Sequence, residues 1–279
     1  MKHIIANWDS LSDEDKKRAE ELYNASKDKL DNLKEQKIPS VEFFEKHGWV
    51  KIQSFISPEV CRLLYRHVLM NAERLSIVEQ YDDSYNPIRD KILFNDVYGL
   101  FDETFNGDYC RYGDPIFDAL LDEKTENVGN LIDKKLIPNY TYHRLYTQGT
   151  ELFKHSDRPS CEFSITLCLG YDTTNIDKVK YPNYNWPMYV QKDNEKPVAV
   201  HLNPGDMLIY RGCDLKHWRE PFKGLNHAQL FMHYNEKDGK FNIRNDFRPY
   251  LGMSSYFKDN VKKSEVDKIH NNSLKKIID

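Results

Sequence analysis

Three residues of this chain have the types and spacing of a metal site. His155 and Asp157 stand two apart in "LFKHSDRPSCEFSITLCL", residues 152 to 169, just ahead of the apolar run Phe163 to Leu169. On a strand, i and i+2 side chains leave the same face, so imidazole and carboxylate would point into one space. An isolated H-x-D pair is usually coincidence; a third donor changes its meaning. "NPGDMLIYRGCDLKHWREPF" supplies one in His217, after a Pro-Gly turn, a strand and a short loop. Two imidazoles and one carboxylate on a β-scaffold can hold one face of an octahedral Fe(II), leaving positions open for a bidentate cosubstrate and dioxygen. A single carboxylate also leaves net positive charge for an anionic cosubstrate. The other histidines lack such a context. His3 and His270 are terminal, His47 and His67 fall among helices, and His143, His201 and His233 read as ordinary strand-face residues.

The elements that must position these donors follow from periodicity. From Asn139 onward the chain is a series of short segments rich in β-branched and aromatic residues: "YTYHRLYTQ", "LFKHSD", "EFSITLCLGY", "WPMYVQK", "VAVHL", "DMLIYRG", "KHWRE" and "AQLFMHYN". Turn signals at Gly149, Pro197, Pro204-Gly205 and Gly224 separate them, the pattern of a sandwich or barrel. Ahead of them, a short helix ends at Gly48 and the strand "WVKIQSF" follows. Ser57-Pro58 then opens a helix with proline at its first position. A further helix is expected from Asp114-Pro115 through Leu136, closed by Pro138. Helices before a β-rich half predict α+β architecture, with helices packed on one sheet.

Three parts are expected. Residues 1–40 form a charged helix, opened by a Ser12/Asp15 capping pattern. Residues 41–252 form the β domain with its supporting helices. Residues 253–279 are a Lys/Asn-rich tail, frayed or disordered.

Composition narrows the function. The chain has 279 residues, a length that fits one large domain or two small ones. The net charge of -4 provides no basic field to recruit nucleic acid. Five cysteines, Cys61, Cys110, Cys161, Cys168 and Cys213, never form a C-x-x-C pair, which disfavours a zinc knuckle or a disulfide framework and fits a reducing, cytoplasmic setting. No apolar stretch reaches spanning length and the N-terminus has no signal-like apolar region, so a soluble, unexported protein is expected.

With these segments assembled, "YHRLYTQGTELFKHSDRPSCEFSITLCLGYD" and "VHLNPGDMLIYRGCDLKHWREPF" resemble the 2-oxoglutarate- and Fe(II)-dependent dioxygenases, closest to their prolyl-hydroxylase-like branch. "FFEKHGWVKIQSFISPEVCRLL" resembles the segment that often precedes that catalytic core, and the resemblance spans roughly residues 41 to 250. It implies a double-stranded β-helix (a jelly roll of two sheets) with iron on His155, Asp157 and His217. It also implies oxidative decarboxylation of 2-oxoglutarate to succinate, coupled to substrate hydroxylation by dioxygen, with ascorbate as an admissible addition. Asp157, a carboxylate where halogenase variants carry Ala or Gly, disfavours halogenation.

One departure concerns the distal carboxylate of 2-oxoglutarate. The family usually meets it with Arg or Lys at the start of the last core strand, where this chain reads "GLNHAQLFMHY" and offers only His227. Neutral histidine is a weaker anion partner than a guanidinium fork. Arg144, two residues before Tyr146 on the same expected face, and Arg219, two after His217, are alternatives; Tyr146 matches a family position whose hydroxyl contacts the cosubstrate. Arg158 and Arg211 stand in reserve, and each arginine could equally make a surface ion pair. Trp186 and Trp218 are candidates for the substrate mouth, with core packing the commoner role.

Three functional classes remain open: an oxygenase acting on a small molecule or a peptide, a cupin-like metal protein with non-oxidative chemistry, and a metal-free β-sandwich binding module.

Overall fold

The computed structural model describes residues 39–82 and 91–260, together with 12–14, 16–18, 20–21, 264 and 268. The chain divides into two compact units, residues 1–42 and 43–279. Most of the charged N-terminal helix, including Asp15, lies outside the described residues, as do His3, His270 and most of the C-terminal tail. The Lys16 N–H donates to the Ser12 carbonyl at 2.9 Å, one helical turn within the described part.

Helix α1 (Pro39–His47) stops at Gly48, whose φ of 76° lies in the left-handed region that glycine reaches without steric cost. Strand β1 (Trp49–Ile52) leads to α2 (Pro58–Asp82), which carries Cys61, Leu64, Val68 and Leu75 on one buried face. Helix α3 (Lys91–Tyr98) and strands β2 (Leu100–Asp102) and β3 (Asp108–Tyr112) follow; the sequence reading did not distinguish these three.

Helix α4 (Pro115–Ile132) begins as expected, with the Asp114 carboxylate accepting from the Ile116 N–H and proline at the first turn. It ends earlier than expected. Asp133 adopts a left-handed C-cap, and its N–H reaches back to the Gly129 carbonyl. Leu136 and Pro138 belong instead to β4 (Leu136–Thr147). Proline is tolerated there because the β4–β11 register shifts beside it: Tyr234 pairs with Pro138 and His233 with Tyr140.

The remaining strands are β5 (Leu152–His155), β6 (Phe163–Asp172), β7 (Met188–Gln191), β8 (Val198–Val200), β9 (Met207–Arg211), β10 (Lys216–Arg219) and β11 (Asn226–Glu236). They pair as a long ribbon folded on itself: β4 with β11, β5 with β10, β6 with β9, and β7 with β8, all antiparallel. The ribbon winds into two sheets, ordered β1-β9-β6-β11-β4-β3-β2 and β5-β10-β7-β8. That nested pairing is a jelly roll, the double-stranded β-helix.

The large sheet turns its apolar face away from the barrel. Ile165, Leu167, Met207, Ile209, Leu230, Met232 and Tyr234 share one core with Leu64, Val68 and Leu75 of α2 and with Phe117, Leu121 and Val128 of α4. Gly170 lets α2 approach closely, since a Cβ there would meet the Tyr65 ring at 2.7 Å. Covering this face with helices leaves the opposite one for polar side chains. Tyr146, His227, Arg144 and Gln229 lie on it, because Tyr146 pairs with His227 and Arg144 with Gln229.

The expected boundary at residue 252 falls short of the ordered body. The Asp96 carboxylate accepts from Ser254 and Ser255, and Lys258 pairs with Asp246, so residues 254–258 are tied to the domain.

Candidate metal centre and anion pocket

His155 closes β5 and sits directly opposite His217 of β10. Their ring centroids are 4.2 Å apart. Asp157 is not on the strand, contrary to the same-face reading; β5 ends at His155. The Asp157 N–H donates to the Gly212 carbonyl at 2.8 Å, and that bond draws the loop back toward the histidines. Asp157 Oδ1 lies 3.5 Å from His155 Nε2 and 3.4 Å from His217 Nε2. One potential ligand atom from each of the three residues falls within 4.8 Å of the others.

The tautomers suit ligation. His155 Nδ1 is 2.7 Å from the Phe153 carbonyl and His217 Nδ1 is 3.1 Å from the Leu215 carbonyl. A carbonyl only accepts, so each Nδ1 carries a proton; each Nε2 faces Asp157, donating to it when the ring is charged and open to a metal when the ring is neutral. Asp157 Oδ2 accepts from Ser164 Oγ at 2.7 Å, which fixes the carboxylate plane and leaves Oδ1 for the centre. Burial alone would raise the Asp157 carboxyl, but hydrogen bonds from His155 and His217 hold it well below the ordinary carboxylate range. The hydrogen bond to Asp157 raises His155 in turn. Gly212 is required here, since a Cβ would run into Asp157 Oδ2, the Cys161 carbonyl and Ser164 Oγ.

The centre opens into a cavity of about 490 Å³, walled by Tyr112, Tyr140, Tyr142, Tyr146 and Phe231 and by two guanidinium groups, Arg144 and Arg158. Arg158 is committed elsewhere, forked onto both oxygens of Asp246 at 2.8 and 2.9 Å. Arg144 donates to Asp102 at 2.8 Å and to the Tyr142 hydroxyl at 3.0 Å, and lies 4.0 Å from the Phe105 ring centroid.

Arg144 Nη1 is also buried without a hydrogen-bond partner; Arg219, which does not line the cavity, has two such nitrogens. Arg219 is 1% exposed, donates one N–H to the Trp186 carbonyl at 2.8 Å, and holds Nε and Nη2 buried with no hydrogen-bond partner. No carboxylate forms an ion pair with it among the described residues. It adjoins Tyr146 through Trp186: its guanidinium lies 4.7 Å from the Trp186 ring centroid, and that ring meets Tyr146 edge-on at 4.9 Å. Burial lowers the Arg219 pKa from its ordinary value. His227, the position expected from the strand register, stacks on Tyr171 at 5.1 Å, and its Nδ1 lies 3.1 Å from the Gln229 amide nitrogen. Burial, then the nearby Arg219 charge, pushes His227 well below its ordinary pKa. Of this adjacent pair, Arg219 and not His227 carries the charge.

Of the reserve candidates, Arg158 lines the cavity but is held by Asp246, and Arg211 does not line it. Arg211 lies over the Phe44 ring at 5.2 Å and the Phe163 ring at 5.6 Å. Trp218 stacks on Tyr189 at 5.3 Å, on the opposite side of β10 from His217 and Arg219. Trp186 is buried among Tyr146, Phe222 and Phe231. His233, read from sequence as an ordinary strand residue, lines the cavity and bonds Ser164 through Nδ1 at 3.0 Å. Its spacing from His155 and His217 carries no motif; only the β6–β11 register, His233 against Ser164, brings it there.

No protein-family model and no curated protein matches the sequence. Solved structures do. A prolyl-4-hydroxylase from Pseudomonas putida has 16% identity over 71% of this chain and 97% of its own, with a TM-score of 0.45. AviO1 from Streptomyces viridochromogenes has 16% identity over 74% and 97%, with a TM-score of 0.48. EctD from S. alaskensis, solved with 2-oxoglutarate and 5-hydroxyectoine, has 13% identity over 79% and 82%, with a TM-score of 0.48. The strand pairing above, and not these likenesses, establishes the jelly roll.

Proposed function

We propose that this chain is a non-haem Fe(II) oxygenase that couples decarboxylation of 2-oxoglutarate to hydroxylation of a small-molecule or peptide substrate. One observation carries the reading: two Nε2 atoms and one carboxylate oxygen converge in the wall of an aromatic-lined barrel cavity. Their chemistry fits Fe(II), leaving half of an octahedron free. The buried, unpartnered Nε and Nη2 of Arg219 fit a carboxylate of the cosubstrate. When bound, Fe(II) with 2-oxoglutarate and dioxygen supplies the oxidising power for inserting oxygen into a C–H bond.

The chain's own residues perform the remaining tasks. His155, Asp157 and His217 would hold the ion, with Ser164 fixing the carboxylate. Arg219 would neutralise the distal carboxylate of 2-oxoglutarate and Tyr146 would add a hydroxyl contact. Leaving that carboxylate buried and unpaired would cost several kcal/mol, on the order of other buried unpaired charges. Arg144, held by Asp102 and Tyr142, is assigned to the cavity wall, and His227 acts as a neutral spacer beside Arg219. The tyrosines and Phe231 exclude water from the reacting carbon.

Five free cysteines fit a reducing compartment such as the cytoplasm. Among the described residues no helix is long and apolar enough to cross a membrane. The catalytic unit is assigned to residues 41–252 together with the strap that follows it.

The test is succinate release from 2-oxoglutarate with Fe(II), ascorbate and a panel of amino acids, peptides and nucleotides, beside the His155→Ala and His217→Ala variants. Turnover and iron retention in the wild type, both lost in the variants, are expected. Wild-type iron content and turnover in either variant would refute the assignment.

A further inference from the structure

A second set of donors shares Asp157. Ligand atoms of Asp157, Cys161 and His233 also lie within 4.8 Å of one another. All three residues line the same cavity as the histidine pair, so an ion entering by one route reaches both sets. Cys161 closes the 3-10 turn Pro159–Cys161, and His233 faces it from β11.

The present contacts of this set are replaceable. Ser164 Oγ stands between Asp157 Oδ2 at 2.7 Å and His233 Nδ1 at 3.0 Å, and also approaches the Cys161 carbonyl at 3.2 Å. Among the described residues the Cys161 thiol has the Tyr140 hydroxyl as its hydrogen-bond partner, at 3.1 Å. A tetrahedral ion with bonds of about 2.0–2.3 Å needs its donors about 3.5 Å apart. Shifts of about 1 Å, with rotation of the Ser164 hydroxyl, would reach that geometry. The Tyr140 hydroxyl, or a water in the cavity, would complete the coordination.

We infer that Asp157, Cys161 and His233 form a second, thiolate-containing metal site, selective for a borderline-soft divalent cation such as Zn(II). The donor set decides the selectivity. Sulfur with imidazole and one carboxylate suits Zn(II) or Co(II), whereas the all-nitrogen-and-oxygen set of His155, Asp157 and His217 suits Fe(II). Binding breaks the S–H bond of Cys161, forms a metal–sulfur bond and releases the proton to solvent; no oxidation state changes. Because Asp157 belongs to both sets, an ion on the sulfur side withdraws a ligand from the other. Zn(II) would therefore lower iron occupancy by competing for Asp157.

Anaerobic titration of the full-length chain with excess Co(II) tests this, read by thiolate-to-Co(II) charge transfer in the near ultraviolet. The histidine pair offers no sulfur, so the band reports the second set alone. The wild type should show it and His217→Ala should keep it. Cys161→Ser and His233→Gln, each checked for native circular dichroism, should both lose it. Absence of the band in the wild type overturns the inference. So does its persistence in Cys161→Ser, which would place the thiolate on another cysteine, or its loss in His217→Ala, which would merge the two sets. Failure of the oxygenase reading would register elsewhere, as absent succinate release with the Co(II)–sulfur band intact.

Discussion

The Arg219 guanidinium lies 4.7 Å from the Trp186 ring centroid and gives one N–H to that residue's own carbonyl, while two further donor nitrogens remain buried and unpartnered. A buried donor without an acceptor costs roughly 1–3 kcal/mol, more when charged. A bound carboxylate would relieve this cost, and Tyr146 stands beside it to share the anion.

Binding of 2-oxoglutarate should accordingly depend on Arg219. A charge-assisted hydrogen bond contributes about 1.5–3 kcal/mol, so Arg219→Gln should weaken the apparent affinity roughly tenfold to a hundredfold. His227→Gln should change it far less. Because burial keeps His227 neutral, no charge is lost as pH rises, and wild-type affinity should stay nearly flat from about pH 6 to 8, around the reference histidine value of about 6.5. Anaerobic titration of the Fe(II) protein with 2-oxoglutarate, followed by its charge-transfer absorbance, checks all three. A steep fall in affinity over that range would return the anchor to His227.

Gly212 should be as important to the metal as a ligand, without touching it. Any Cβ there collides with Asp157 Oδ2 and the Cys161 carbonyl, and neither is a flexible chain end. Gly212→Ala should displace the Asp157 carboxylate and lower Fe(II) affinity by at least about tenfold, within the range for residues that orient metal ligands. Ser164→Ala should act in the same direction more weakly, since it removes one hydrogen bond to Oδ2. Competition with a calibrated chelator measures both; unchanged iron affinity in Gly212→Ala would show that Asp157 is not held from this side.

Much of this site was legible in the sequence because its parts are local. The eight strand segments from Tyr140 to Asn235 declare themselves by β-branched and aromatic composition, and His155 and His217 fall at strand positions that pairing then aligns. What escaped notice depends on contacts distant in sequence. The end of α4 at Ile132 is set by a left-handed Asp133, while Pro138, a usual helix stop, sits in a strand beside a bulge. Strands β2 and β3 are short, and β3 draws its place from pairing with β4. A candidate anion partner was legible only as three alternatives. Residue type ranked Arg above His, but only the folded chain shows that Asp102 engages Arg144 while Arg219 has no carboxylate partner among the described residues. His233 was invisible because its partner Ser164 lies 69 residues away.

The helices should be inseparable from the barrel. Leu167, Leu230 and Met232 bury against α2 and α4 and not against the small sheet. A fragment beginning at Asn139 would expose that whole face, a patch larger than a soluble monomer normally tolerates. It should aggregate or remain unfolded, and cooperative thermal unfolding of the isolated fragment would contradict this packing. Within the intact chain, Leu167→Ala should cost about 2–5 kcal/mol, the range for leucine truncation in a packed core, measurable by urea denaturation.

Acid sensitivity should trace in part to His143, remote from the candidate metal centre on the helix-facing side of β4. Its ring is fully buried against Tyr109 and Phe117, and neither nitrogen has a hydrogen-bond partner. Burial pushes its pKa down to about 3, so the folded protein keeps it neutral where the unfolded chain, near 6.5, takes up a proton. The unfolded state thus binds more protons between those values, and stability must fall as pH drops from about 6.5 toward 3. At pH 5 the loss from this one residue is about 2 kcal/mol, from 1.36 kcal/mol per pH unit below 6.5. His143→Leu keeps an apolar side chain in the same space and removes two unsatisfied nitrogens. The variant should be at least as stable as wild type at pH 7 and should lose less stability between pH 7 and 5. Urea midpoints of both proteins at the two pH values give the comparison. Equal losses would mean that His143 finds a partner for its proton in the folded state.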